Sequence, residues 1–257
     1  MQMGTNAVVL NNKAKALAIL VLLLLNFISG ISAQSNAGEG HPVQIVFQNN
    51  MIDAPIVLDQ SYTNFFGEIF TISKLKYYIS SIRLNGIKEN QFQEYSDDCF
   101  LVNEEDPDSK YISLISYLDT ITSIHFRIGI DSLRNTTGVQ TGALDPAKGM
   151  FWVWNTGYIM AKLEGHSPAA NTPGKSFSYD VGGYKTNENT ARDITLTLEP
   201  SVYKNSDTIQ INVDISKWFY GSHPIKISST PFCHAPGNLA MQIADNYSTM
   251  FTIAPKN

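Results

Sequence analysis

The feature of this sequence that most restricts its fold is a recurring alternation of apolar and polar residues. The run VQIVFQN (43–49) places Val43, Ile45 and Phe47 at every second position. Successive side chains of a β-strand point to opposite faces, so a period of two predicts a strand with one face towards a core. A chain built from such runs is expected to fold as a β-protein.

The longest alternating run is IFTISKLKYYISSIRLNG (69–86), which ends in an Asn-Gly pair typical of a tight turn between strands. It is predicted to form one long strand whose side chains divide between two faces. One face would hold Ile72, Lys74, Lys76 and Tyr78, and the other Ser73, Leu75, Tyr77 and Ile79.

Further short runs bounded by Gly, Pro, Asn or Asp predict more strands. They are 99–103, 123–131, 151–165, 176–184, 192–200 and 207–215. Helical signals are few: a short turn is expected in SLISYLD (113–119), another in DISKWFYG (214–221), and a short helix or irregular strand in 238–251. Many strands without a mid-chain linker predict the all-β class, as a single β-sandwich with Greek-key-type connections and a few short helical turns.

The N-terminus has the features of an export signal. Two lysines, Lys13 and Lys15, precede an apolar run at 16–28, and Ile31 and Ala33 fit the positions before a cleavage site. We therefore predict a signal peptide at 1–33, a flexible tether at 34–42 and the sandwich domain at 43–257. An uncleaved anchor is the alternative, because the run approaches the ~20 residues of a membrane span.

Export predicts a periplasmic, secreted or cell-surface protein with no integral membrane span once the signal is removed. Net charge is −5 and the sequence has no basic run, which argues against a nucleic-acid partner. Cys99 and Cys233 are the only two cysteines. An oxidising compartment permits a disulfide between them, and two separate buried thiols are the alternative.

Sequence motifs for the common catalytic classes are missing. There is no glycine-rich phosphate loop, no GxSxG, no HExxH and no CxxC. Glu164 and Asp180 could act as an acid and base, but nothing in the sequence fixes their separation. The protein is therefore not expected to be an enzyme.

Candidate metal ligands are scattered. None of the five histidines has HxH or HxxxH spacing, and His234, before a proline turn, is the most plausible imidazole ligand. Asp131, Asn135 and Asp145 lie near glycines, an arrangement of oxygen donors that suits Ca²⁺. The same residues also suit turns in which Asp and Asn bond their own backbone, and this is the favoured interpretation.

The segment GMFWVWNTGYIMAKLEGHS (149–167) is the most aromatic part of the chain. A strand would place Trp152 and Trp154 on one face. Large aromatic residues usually fill a core, but a buried indole N–H needs a partner, so one ring is expected to line a polar pocket. A carbohydrate-stacking platform would instead require both indoles to be exposed.

Five stretches together resemble the MbnP-like family, named for methanobactin-associated periplasmic copper-binding proteins. They are FTISKLKYYISSIRL, IGIDSLRN, TGALDPAKGMFWVWNTGYIMAKLEG, FSYDVGGY and HAPGNLAMQIADNYSTMF, between residues 43 and 253. The resemblance implies an exported single-domain β-sandwich that binds or handles copper. In some members a di-haem partner of the cytochrome-c-peroxidase kind oxidises a tryptophan to kynurenine, and either Trp152 or Trp154 would match it.

The sequence departs from the family at two expected histidine ligands. Asp180 stands where FSYDVGG would carry one, and Thr136 stands after the matching asparagine. Carboxylate is a harder ligand than imidazole and suits Ca²⁺, Mn²⁺ or a weaker Cu(II) site. The resemblance therefore predicts an exported metal-binding protein, with Asp180 and His234 as its ligands and copper as its metal. A non-catalytic structural or interaction sandwich with a degenerate metal site is the alternative.

Overall fold

Two facing sheets make up the fold in residues 39–154, 157–199 and 208–255, the parts of the chain that this computed structural model describes. The strands are β1 His41–Met51, β2 Ala54–Pro55, β3 Ser61–Thr63, β4 Ile69–Asn85, β5 Phe92–Asn103, β6 Tyr111–Ser116, β7 Ser123–Ile128, β8 Phe151–Trp152, β9 Gly157–His166, β10 Ser176–Gly182, β11 Arg192–Thr197, β12 Thr208–Asp214, β13 Phe232–Cys233 and β14 Phe251–Ile253. The α-helices are α1 Ser132–Thr136 and α2 Asn238–Tyr247. Single 3-10 turns lie at Pro107–Lys110, Gly142–Leu144, Pro146–Lys148, Pro173–Lys175 and Ile215–Trp218.

The smaller sheet has the order β14-β12-β1-β2, with β6 also paired to β1. The larger sheet has the order β11-β7-β4-β9-β10-β13, with β3 and β5 paired to β4 and β8 paired to β9. Neighbours such as β1 and β12 run parallel and lie far apart in the sequence, so long connections cross between the sheets. The predicted all-β sandwich is confirmed.

The main core lies between the sheets and follows the alternation of the strands. Val43, Ile45 and Phe47 of β1 all point inward and are buried. The Phe47 ring meets the ring of Phe126 on β7 edge to face, with centroids 5.6 Å apart, and Phe251 of β14 in the same way at 6.3 Å. Aromatic contacts between strands of both sheets therefore hold the two layers together.

One part of the predicted pattern of β4 is wrong. Ile72 packs in the main core with Leu75 and Tyr77, and not on the face of Lys74. The β4–β9 register shifts between Ile72 and Lys74, which adds one residue and reverses the alternation at that point. On the far side of this irregularity the prediction holds, because Leu75, Tyr77 and Ile79 all point into the core.

A second apolar cluster covers the opposite face of the larger sheet. Residues 129–154, called here the excursion, leave β7 and fold over β4 and β9 before the chain returns as β9. This outer cluster consists of Tyr78, Ile130, Leu144, Met150, Trp152, Tyr158, Ile159 and Met160. Because both faces of β9 are covered, nearly every residue of that strand is buried.

The three expected helical segments have different outcomes. The turn predicted at 113–119 is wrong, since Tyr111–Ser116 is strand β6, whose Ile112 and Leu114 turn to the core beside β1. The turn at 214–221 is confirmed as Ile215–Trp218, with Asp214 accepting from the Ser216 N–H. The last segment forms helix α2 followed by strand β14.

The N-terminal predictions fall mostly on residues outside the described part. The signal peptide and tether residues 34–38 lie there, whereas His41 and Pro42, assigned to the tether, open strand β1. Within the described residues, no helix has the length and apolar character needed to cross a membrane. Cys99 and Cys233 are free thiols and not a disulfide.

Candidate functional site

A cavity of about 180 Å³ opens at the edge of the outer cluster, and we call it the Trp152 cavity. Its lining residues are Asn135, Trp152, Gly157, Tyr158, Gly183, Tyr184, Lys185, Glu188 and Pro236. Helix α1 and strands β8 and β9 form one wall, and the loop after β10 forms the other. With Pro236 from the segment before α2, four separate segments of the chain therefore meet at this cavity.

The two indoles of the WVW motif have different environments. Strand β8 ends at Trp152 and the chain turns, so the prediction that both rings share one strand face is wrong. Trp152 is 5% exposed and lines the cavity, whereas Trp154 is 63% exposed. Their ring centroids are still only 5.5 Å apart. Only Trp152 fulfils the expectation of an indole that borders a polar pocket.

Two adjacent glycines shape the cavity. A Cβ atom on Gly182 would lie 2.8 Å from the Trp152 ring, so the ring packs directly against the backbone of β10. Gly183 has a φ of +137°, and a Cβ there would lie 2.1 Å from the Glu188 carbonyl oxygen. The Gly-Gly pair therefore admits the indole and turns the chain into the opposite wall.

Asn135 contributes an unused hydrogen-bond donor. The residue is 1% exposed, and its Oδ1 accepts from the Tyr158 N–H at 3.0 Å. That contact fixes the orientation of the amide. Within the described residues, its Nδ2 has no partner. Buried polar groups are normally paired, so an unsatisfied amide beside a cavity marks a place where a ligand could accept a hydrogen bond.

The Tyr158 hydroxyl is already used within the protein. It donates to the Leu144 carbonyl at 2.9 Å and accepts from the Gln140 N–H at 3.2 Å. Burial raises the pKa of this phenol above its ordinary value. Tyr158 therefore lines the cavity as a neutral group.

The loop wall of the cavity carries one charge of each sign. Lys185 and Glu188 lie in a single turn, in which the Glu188 N–H donates to the Lys185 carbonyl at 2.8 Å. Across the described part of the chain, neither side chain forms an ion pair with another residue. Both charges are therefore available to a bound molecule.

The residues proposed for calcium serve as helix and turn caps. Asp131 accepts from the Arg134 N–H at 2.8 Å and pairs with the Arg134 guanidinium at 2.7 Å. Asp145 accepts from the Ala147 N–H at 2.9 Å. Of the predicted oxygen ligands, only Asn135 reaches the cavity, so the turn chemistry considered as the alternative accounts for both carboxylates.

Asp180 belongs to a largely buried ion-pair network of the larger sheet, carried by strands β4, β9 and β10. The Lys162 ammonium lies 2.6 Å from Asp180 Oδ1 and 2.9 Å from Glu164 Oε1. Lys74 binds the other oxygen of Glu164 at 3.1 Å. Lys162 is only 7% exposed, and it stands between the two carboxylates that the sequence offered as an acid–base pair.

His234, the last predicted ligand, and Thr136, at the other position of a replaced histidine, lie outside both the cavity lining and the ion-pair network. His234 is exposed, and its ring lies beside Phe232 with centroids 5.4 Å apart. The Thr136 hydroxyl donates to the Ser132 carbonyl within its own helix at 3.0 Å. The residues that sequence reasoning missed are Tyr184, Lys185 and Glu188. The Gly182–Gly183 pair was the signal that a shaped loop follows β10.

The MbnP family model matches residues 40–235. The chain belongs to the MbnP family. Its structure is similar to that of MbnP from Methylosinus trichosporium, with 13% identity over 73% of this chain and 80% of that one, and a TM-score of 0.52. At this identity the likeness supports the fold alone. A search of curated proteins gave no match.

Membership associates the chain with copper-related periplasmic proteins of the MbnP family, so the fit of its donors to copper matters. Copper prefers imidazole and thiolate ligands. Over the described residues, no three His, Cys, Asp or Glu side chains come together as a metal-binding group. Burial raises the pKa of Cys99 to about 12 and that of Cys233 to about 11, so both thiols are neutral. In the described part of this MbnP-family chain, the donors do not fit a copper site.

The charged network of this MbnP-family sheet predicts acid sensitivity. Burial by itself would raise the pKa of Glu164, but hydrogen bonds and charges from Lys162 and Lys74 outweigh it and lower the pKa below the ordinary 4.5. A carboxyl group whose pKa is lower in the folded state stabilises the fold at pH values above its ordinary pKa. This contribution to stability is lost as the pH falls through the folded-state pKa. Urea unfolding between pH 7 and pH 3 should therefore show that the free energy of unfolding falls more steeply with pH below about pH 4.5.

The matched control for this pH dependence is Glu164→Gln, which keeps the shape of the side chain and removes its titration. The variant should be less stable at neutral pH and should lose less stability on acidification. If the free energy of unfolding has the same slope against pH below pH 4.5 in both proteins, Glu164 does not contribute to the acid response.

Proposed function

We propose that this chain is an exported, non-catalytic binding protein of the MbnP family whose ligand site is the Trp152 cavity. The observation that carries the proposal is the buried Asn135 amide, whose Nδ2 has no partner among the described residues and which lines the same cavity as the Trp152 indole. Binding sites typically combine apolar walls with a few unsatisfied polar groups. The family and the predicted signal peptide support a periplasmic or extracellular location as part of this proposal.

The same proposal holds that the unmodified chain does not bind copper stoichiometrically. The two family histidine positions carry Asp180 and Thr136. The Asp180 carboxylate pairs with the Lys162 ammonium, which already supplies the positive charge that a metal ion would bring. These observations favour the reading of a sandwich with a degenerate metal site.

Equilibrium dialysis against Cu(I) and Cu(II), followed by metal analysis, tests this part of the proposal. The chain beginning at residue 34 should retain well below one copper per molecule. His234→Ala serves as the control for adventitious binding at the exposed imidazole. One copper per chain that survives this substitution would contradict this part of the proposal.

A second candidate, copper binding after tryptophan oxidation, is favoured by the position of Trp152. Conversion to kynurenine would give this side chain a ketone oxygen and an aromatic amine at the cavity wall. A di-haem partner would meet the exposed Trp154 first, whose ring contacts Trp152. Intact and peptide masses of protein from its native host decide the matter, because the conversion gains an oxygen and loses a carbon. A modified Trp152 peptide supports this candidate, and an unmodified one rejects it.

A further inference from the structure

The chemistry of the cavity walls identifies a class of ligand, given the proposed binding role of the Trp152 cavity. We infer that the cavity binds a small zwitterion, a free α-amino acid with a short side chain. Its carboxylate would accept from Asn135 Nδ2 and pair with Lys185, and its ammonium group would pair with Glu188. The walls thus offer one group for each polar end of such a molecule.

The arrangement of the two charges supports this class. Lys185 and Glu188 belong to one turn and line the same cavity, yet each lacks an ion-pair partner in the described residues. The carboxylate and ammonium of an α-amino acid are separated by a single carbon atom, so one small molecule can meet two neighbouring opposite charges. A simple anion would place negative charge beside Glu188, and a simple cation would place positive charge beside Lys185.

The buried amide distinguishes the two ends of the ligand. Oδ1 of Asn135 accepts from the Tyr158 N–H, which leaves Nδ2 as the free end of the amide. Nδ2 is a donor, so only a hydrogen-bond acceptor can satisfy it. A carboxylate oxygen is such an acceptor, and an ammonium group is not. The carboxylate end is therefore expected next to Asn135.

The volume limits the side chain of the ligand. A cavity of about 180 Å³ has room for about six water molecules at ~30 Å³ each. Trp152, Tyr184 and Pro236 provide an apolar wall for a short aliphatic or hydroxyl side chain. Glycine, L-alanine and L-serine, which are small enough for this volume, are accordingly the probes of choice.

Isothermal titration calorimetry on the chain beginning at residue 34 tests the inference with these three amino acids. Acetate and methylammonium represent the two halves of the zwitterion. We expect saturable binding of one amino acid per chain and binding of each half at least about tenfold weaker, because each half leaves charged groups unpaired.

Two variants link the binding to the named groups. Asn135→Asp keeps an oxygen for the Tyr158 N–H but replaces the free donor by a carboxylate oxygen, and Lys185→Ala removes the positive charge at an exposed position. Each is expected to weaken amino-acid binding at least about tenfold. Lys148→Ala removes an exposed lysine of the excursion that does not line the cavity, and it should leave the affinity unchanged.

The outcomes separate this inference from the proposed function. Acetate binding as tight as that of glycine, or amino-acid binding unaffected by Lys185→Ala, would overturn the assignment of a zwitterionic ligand. The cavity would then be a site for another class of ligand. Failure of all these probes, together with one copper per chain in dialysis, would overturn both the inference and the proposed function.

Discussion

Replacing Trp152 by alanine is expected to lower the free energy of unfolding by about 3–5 kcal/mol, the usual range for truncating a large buried aromatic residue. The indole is 5% exposed and packs in the outer cluster against the backbone at Gly182. Its removal would leave a space that the sheet cannot fill by collapse, because β9 and β10 are fixed by their pairing. The cavity would also lose the indole from its wall.

Trp154→Ala is the matched control, since it removes the same side chain two residues further along. Trp154 is 63% exposed, and substitutions at exposed positions usually change stability by within about 0.5 kcal/mol. Urea unfolding followed by far-UV circular dichroism compares the variants without relying on tryptophan emission. Equal losses in both variants would show that Trp152 does not have the buried position described here.

Replacing Lys162 by methionine is expected to cost about 3 kcal/mol or more, because removing one partner of a buried ion pair leaves uncompensated charge. Lys162 is 7% exposed and is the only group of the described residues that pairs with Asp180. Methionine preserves most of the side-chain volume, so the decrease in the free energy of unfolding would result from removal of the ammonium charge. The neighbouring Glu164 keeps its contact with Lys74.

Lys74→Met is the control for the lysine variant. The side chain of Lys74 is 36% exposed, and ion pairs at this exposure contribute at most about 1 kcal/mol. The same urea unfolding measurement at pH 7 compares both variants with the unmodified chain. A loss for Lys162→Met no greater than that for Lys74→Met would contradict the assignment of Lys162 as the buried counter-charge of Asp180.

The alternation of the sequence was sufficient to predict the sandwich, because a period of two depends only on the geometry of a single strand. It could not predict the reversal at Ile72, because the irregularity arises from the pairing of β4 with β9. It also misassigned 113–119, whose apolar spacing fits a short helical turn until strand β1 lies beside it.

The candidate site was predictable only on one side. The WVW motif and Asn135 indicated the wall formed by β8 and α1, but the opposite wall at Tyr184 to Glu188 depends on a turn that Gly183 permits. Asp180 illustrates the same limit, since its neutralisation by Lys162 follows from the β9–β10 register and not from any local pattern.

The assignment of the Trp152 cavity as the ligand site is tested most directly by the indole N–H region of the ¹H–¹⁵N spectrum. The chain has three tryptophans, of which Trp152 lines the cavity and Trp218 is buried in the main core. The predicted result is that glycine shifts the Trp152 resonance to saturation and leaves Trp218 unmoved, and that equimolar Cu(II) does not selectively broaden Trp152. A stationary Trp152 resonance under glycine, with selective broadening by Cu(II), would contradict the assignment and favour a copper site.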